Sequence, residues 1–188
     1  MLYLASASPR RSELLKTAGF EFNIRVSDFD EKTVEYSSPE EYVVKAAEGK
    51  ANAVLALSDS DSVVIGSDTA VVLGDRILGK PKSREEAVEM LLLLSNKTHR
   101  VLTGVCVVSK DKTVSFAEET LVTFLPITKE KALRYASTGE CDDKAGAYGI
   151  QGKGSVFVSR IQGDYASVVG LPVSKTALTL EEFGIFPF

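Results

Sequence analysis

The chain has no tryptophan, one histidine and two cysteines among its 188 residues, and each scarcity removes a class of function. Cys106 and Cys141 stand far apart, without the paired spacing of a zinc site or the density of a disulfide scaffold, so a reduced, cytoplasmic chain is expected. His99 lies between Thr98 and Arg100 at the start of an apolar run, with no partners for a hydrolytic triad, and a structural role is expected for it. No apolar run approaches the roughly 18 residues that span a bilayer, so no membrane partner is expected. Residues 1–11 place their short apolar run before Arg10 and Arg11, the reverse of a secretory leader. Excess positive charge is also missing. A net charge of −4 and a pI near 5.2 set the overall field against a phosphate polymer, which leaves no nucleic-acid partner to expect.

What is present is the balance of a self-folding chain, 44% hydrophobic and 26% charged. The length suits one domain over residues 1–188, which two lobes can build with an active-site cleft between them. Leu2–Ala5 reads as a buried strand, and Ser8-Pro9 as an N-cap and first-turn proline for a helix that Gly19 ends. A strand around Phe22–Val26 precedes Ser38-Pro39-Glu40-Glu41, a capping box opening a helix to about Leu57. Val63–Leu73 is apolar and β-branched apart from a polar interruption at Gly66-Ser67-Asp68-Thr69, and Gly74-Asp75 predicts a hairpin turn. Ser83-Arg84-Glu85-Glu86 is a second capping box. Val101–Val108 and Val114–Phe124 predict an antiparallel strand pair, Thr128–Ser137 a helix, Ser155–Ile161 a strand, and the segment after Pro172 a last helix. Alternating helices and strands with hairpins predict an α/β fold, a mixed β-sheet flanked by helices.

Four constellations can carry chemistry. In Ser6-Ala7-Ser8-Pro9-Arg10-Arg11, a strand passes into a helix whose free N–H groups and arginines suit a phosphate or a base edge; caps beside solvated arginines give the same pattern. Asp68 within Gly66-Ser67-Asp68-Thr69 is a carboxylate placed to bind a divalent cation or take a proton from water, although a plain turn uses the same residues. Asp30-Glu31, Lys50 and Lys80-Pro81 supply the carboxylates and lysines that phosphoanhydride hydrolysis needs; taken singly, each is ordinary surface charge. Asp142–Gly152 is a run whose glycines permit close approach to a planar ligand and whose Gln151 can read a base, or else it is a structural loop around a buried tyrosine. Its spacing is not that of a P-loop.

In order along nearly the whole chain, these segments resemble the Maf family of nucleotide pyrophosphatases. The matching stretches are Leu4–Arg11, Asp30-Glu31, Gly66–Thr69, Gly79–Pro81, Thr103-Gly104, Asp143–Gly152, Ile161, Gly163–Tyr165 and Val169–Pro172. The resemblance implies that Asp68 is the proton acceptor and that Arg10, Thr69 and Gln151 tune base choice. These three are the residues of the family's dTTP/UTP branch; the branch acting on 7-methyl-GTP carries tryptophan, glutamine and glutamate instead. The implied reaction splits the α–β anhydride to a nucleoside monophosphate and pyrophosphate with Mg²⁺ or Mn²⁺. Glu31 and Asp68 are the expected metal residues, and Ser6, Ser8, Arg11, Lys50 and Lys80 the expected phosphate and substrate contacts. An elongated fold shared with inosine triphosphate pyrophosphatases and a homodimer are implied as well. Purine-directed hydrolysis, or nucleotide sensing without catalysis in cell division, are the alternatives.

Overall fold

The computed structural model describes residues 1–188. Along the chain come β1 (Leu2–Leu4), α1 (Pro9–Thr17), β2 (Asn23–Ile24), α2 (Pro39–Leu55), β3 (Val63–Leu73), β4 (Arg76–Leu78) and α3 (Arg84–Leu94). There follow β5 (Thr98–Val108), β6 (Thr113–Phe124), α4 (Lys129–Ala136), β7 (Val158–Gln162), α5 (Tyr165–Val169) and α6 (Val173–Glu181), with 3-10 turns at Glu31–Thr33, Ala145–Ala147 and Lys153–Phe157. The strands form a seven-stranded mixed sheet in the order β2-β1-β3-β5-β6-β7, with β4 paired to β3. β1 runs parallel to β2 and β3; β4 opposes β3, and β7 opposes β6. The fold is therefore the expected mixed α/β type with a sheet flanked by helices.

Local chemistry explains most boundaries. Ser38, Ser83 and Thr128 each accept a hydrogen bond from the backbone N–H three residues on, and so cap α2, α3 and α4. In the two capping boxes the glutamate reaches back to a backbone N–H as well, Glu41 to Ser37 and Glu86 to Lys82. Ser8 departs from expectation: it occupies the N-cap position of α1 without a capping bond from its side chain. The largest departure is at Gly66–Thr69. These residues do not interrupt the strand but lie inside β3, eleven residues long, because pairing in the sheet holds the polar segment extended. A third difference is that Lys153–Phe157 coils into a 3-10 turn, so β7 begins only at Val158.

The chain divides into two compact units: Met1–Asp68 with Thr103–Glu118 and Gly170–Phe188, and Thr69–Leu102 with Glu119–Val169. In the first unit β3 shows the period of two that a strand buried on both faces requires. Val63 and Ile65 join Leu4, Leu15, Val105, Leu171 and Leu180 in one apolar cluster, while Val64 joins Ala47, Ala51 and Val54 of α2 in another. Helix α2 lies unusually close to the sheet, and two glycines make that possible. A Cβ on Gly66 would overlap the Ala47 carbonyl oxygen and come within 2.9 Å of Ala51 Cβ; one on Gly104 would overlap the Val43 carbonyl. In the second unit α3 packs on α4 and on the turn at Ala145–Ala147. Its aromatic core joins His99, Phe124, Tyr148, Phe157 and Tyr135 edge to face or tilted, with centroids 4.7–6.1 Å apart.

Candidate active site

The alternation that puts Val64 and Gly66 under α2 places Asp68, two residues further, on the same face. There Lys50, on α2, reaches it: Nζ lies 2.6 Å from Asp68 Oδ1 and 2.5 Å from Glu31 Oε1. Glu31 arrives from a different segment, held by two local devices. The Asp30 side chain accepts from Lys32 N–H at 3.0 Å and caps the 3-10 turn that begins at Glu31. The Phe29 ring lies on Gly49, where any Cβ would overlap it, one residue before Lys50 on α2. Of the Asp30-Glu31 pair, then, Asp30 is used as a cap and Glu31 is the site carboxylate.

The odd-numbered residues of β3 face the other way, and Ser67 Oγ donates to the Gly170 carbonyl at 3.0 Å. The same carbonyl accepts from Arg11 Nε at 2.7 Å, so one backbone oxygen ties α1 to β3. Gly170 carries this carbonyl at φ 128°, a backbone region that favours glycine. Ser6 Oγ accepts from Ser8 N–H at 3.2 Å and from Arg11 Nη1 at 3.3 Å. The guanidinium is thereby oriented from two sides before any anion arrives. Burial lowers its affinity for a proton, and the charges of Asp68 and Glu31 work in the opposite direction.

Burial dominates Asp68, which is 7% exposed, and raises its carboxyl above the ordinary range. Glu31, a like charge, pushes the same way, while Lys50 and Arg11 oppose both. The result is a buried carboxylate of enhanced basicity that shares one ammonium with a second carboxylate. Tyr42, which the sequence does not single out, also faces this cluster. Its hydroxyl is driven upward by burial and then by Asp68 and Glu31.

Nowhere in the chain do three histidine, cysteine, aspartate or glutamate side chains gather to hold a metal. Two carboxylates converging on one cationic group, however, fit a hard divalent ion that completes its shell from substrate phosphates and water. Oxygen donors of this kind suit Mg²⁺ or Mn²⁺.

Of the residues expected at the site, the first unit thus gathers Ser6, Ser8, Arg11, Glu31, Lys50 and Asp68, with Arg10 partly buried on α1 beside Arg11. Thr69, Lys80 and Gln151 belong to the second unit. Thr69 is partly buried in β3; Lys80 is exposed after β4, where the Gly79 carbonyl accepts from Gly146 N–H at 3.1 Å. Gln151 is exposed at a turn between two buried glycines, Gly149 and Gly154. The glycines of this loop meet protein: Gly146 packs on Val71, Gly149 on Lys144, and Gly152 on Glu140. Tyr148 is buried, as the structural reading of the loop requires, and its hydroxyl lies 2.9 Å from His99 Nε2. His99 is accordingly a core residue. Ser67, Gly66, Gly104 and Gly170 stand within the matching stretches, but the sequence assigns them no part; for the seat of α2, the alternation along β3 and the alanines of α2 are the signals.

Comparison with known proteins bears on the whole chain. A family model described as Maf-like protein matches residues 1–183. Curated relatives from Bacillus anthracis and Bacillus cereus, each called dTTP/UTP pyrophosphatase, are 54% identical over 184 residues, covering 98% of this chain and 96% of theirs. Among solved structures, a HAM1 protein from Coxiella burnetii matches with a TM-score of 0.48 at 10% identity, covering 96% of this chain and 98% of that one. On the family model and the identity to full-length relatives, this chain belongs to the family of Maf-like proteins.

Proposed function

We infer that this chain is a nucleoside triphosphate pyrophosphatase that hydrolyses dTTP and UTP to the nucleoside monophosphate and pyrophosphate. The observation that carries this reading is the 54% identity, across 98% of the chain, to proteins of that name. The buried cluster around Asp68 supplies chemistry that such a reaction needs.

In the proposed mechanism Asp68 takes a proton from the attacking water. The water oxygen bonds to the α-phosphorus, the bond from that phosphorus to the α–β bridging oxygen breaks, and pyrophosphate departs with the bonding pair. The raised carboxyl of Asp68 suits it to this work, since a stronger base draws a water proton more readily. Lys50 orients Asp68 and Glu31, and with Arg11 and Lys80 it offsets the charge of the triphosphate. Ser6 holds the Arg11 guanidinium, and the start of α1 after Ser8 offers an anion the positive end of the helix dipole. Glu31 and Asp68 are the residues that would hold Mg²⁺ or Mn²⁺. Bound there, the ion supplies charge neutralisation and a more acidic water. Gln151 pairs through its amide with the carbonyl and imide edge of uracil or thymine, and Arg10 and Thr69 shape the room beside the base. We read the enzyme as a cytoplasmic homodimer. No helix is long and apolar enough to cross a membrane.

The test is product analysis across a nucleotide panel with Mg²⁺ and with Mn²⁺. UTP and dTTP should give monophosphate and pyrophosphate, ahead of ITP, GTP and 7-methyl-GTP. Release of orthophosphate and a diphosphate, or a preference for 7-methyl-GTP, would overturn the assignment.

A further inference from the structure

The loop that carries Gln151 closes around a carboxylate that belongs to the protein. Glu140 Oε2 accepts from Lys153 N–H at 2.9 Å, and Oε1 accepts from Gly154 N–H at 3.0 Å and from the Tyr135 hydroxyl at 2.9 Å. The Tyr135 oxygen in turn accepts from Gly149 N–H at 3.0 Å, and Lys144 Nζ donates to the Glu140 backbone carbonyl at 2.7 Å. Three backbone N–H groups on either side of Gln151, those of residues 149, 153 and 154, are thus fixed by one carboxylate and one phenol.

The glycines are the steric counterpart of these bonds. A Cβ on Gly152 would stand 2.5 Å from Glu140 Oε2 and 2.6 Å from its Cδ; one on Gly154 would stand 2.9 Å from the Tyr135 hydroxyl. Backbone is therefore drawn in against Glu140 and Tyr135 directly after residue 151, and Gln151 itself stands exposed. Burial opposes the charge on Glu140, yet the bonds from Gly154, Lys153 and Tyr135 outweigh it and hold the carboxyl below its ordinary value. Glu140 stays ionised in its place.

We propose that Glu140 is a positioning residue for base choice: its carboxylate fixes the 149–154 loop and thereby the place of Gln151, without touching the substrate. This rests on the reading of Gln151 as the residue that meets the base. An amide cannot replace the carboxylate, because its nitrogen only donates and would face a backbone N–H that also donates.

The experiment uses the full-length enzyme with UTP and ITP. Glu140→Gln should lower the ratio of kcat/KM for UTP over ITP by about tenfold, the scale of one lost hydrogen bond to a charged group. The change should come through KM for UTP, with kcat at saturation held within about twofold. Hydrogen exchange should show lost protection at Lys153 and Gly154. A merely structural role would depress both nucleotides in step and leave the ratio unmoved, which would overturn the proposal. Gln151→Ala runs beside it. If Gln151→Ala shifts the ratio and Glu140→Gln does not, Glu140 has no part in base choice while the reading of Gln151 survives. If Gln151→Ala leaves the ratio unchanged, the reading of Gln151 falls and the specificity role of Glu140 with it. Should Glu140→Gln fail to fold, Tyr135→Phe keeps the ring in the aromatic core and removes only the hydroxyl between Gly149 and Glu140; a smaller shift in the same direction is expected, and none would overturn the proposal.

Discussion

Asp68 in the first unit is a buried carboxylate and Glu140 in the second a partly buried one, and their carboxyls shift in opposite directions. Burial raises both carboxyls. Around Glu140 a phenol and two backbone N–H groups accompany the carboxylate, and the net effect is downward. Around Asp68 a second carboxylate shares the one nearby ammonium, and the net effect is upward. The carboxylate that holds a loop has its charge satisfied; the one proposed to take a proton has its charge left costly. Depth and donors both separate the two: Asp68 is buried and shares one ammonium, while Glu140 is only partly buried and accepts from three donors.

The largest effect expected is at Asp68. Asp68→Asn should reduce UTP turnover about a thousandfold, the range of a lost general base. Because the folded protein raises this carboxyl, the ionised form works against folding at neutral pH, so the variant should not lower the thermal midpoint. Glu140→Gln should lower it, since its carboxylate is favoured by folding. Calorimetry of the two variants side by side breaks the contrast if both shift the same way.

Next in size is an acid effect within the second unit. His99 is buried, and burial lowers its imidazole to about 4. Between the ordinary value of about 6.5 and that lowered one, the unfolded chain takes up a proton that the folded chain refuses, so stability falls as pH falls through this window. At 1.36 kcal/mol per unit, the loss approaches about 3 kcal/mol near pH 4. Denaturant melts of wild type and His99→Asn between pH 7 and 4 check this, the variant being expected to lose the His99 component of the slope.

A smaller effect separates the seat of α2 from the chemistry it positions. Gly66→Ala forces a methyl against the Ala47 carbonyl and should cost about 2 kcal/mol, while carrying Lys50 away from Asp68 and reducing turnover. A variant that melts like wild type with full activity would show that close packing there is dispensable. The smallest effect is reserved for exposed charge. Arg134 and Glu130 pair one turn apart on α4 at the surface, and Arg134→Ala should leave both the melting midpoint and the UTP preference where they were.

Much of this molecule was legible because it rests on local chemistry. Ser38, Ser83 and Thr128 mark helix starts through bonds that span three residues, and the hairpin at Gly74 needs only a positive φ, here 61°. The resemblance read from ordered segments agrees with the family model over residues 1–183. Less legible was the state of Gly66–Thr69, whose composition reads as a turn and whose backbone is strand. Local preference there is overridden by pairing in the sheet.

What the sequence by itself determined was which residues carry reactive groups and where most helices and strands begin, since both follow from side-chain chemistry and short-range hydrogen bonding. Tertiary structure alone decided which groups meet. Lys50 reaches Asp68 because two glycines let α2 settle onto the sheet, and Glu31 joins them because Phe29 rests on Gly49. It also decided what the glycines near Gln151 are for: they admit Glu140 and Tyr135, groups more than ten residues away in the chain, into the space where side chains would otherwise stand. Close approach between distant segments depends on the shape of the packed core, and no spacing within either segment encodes it.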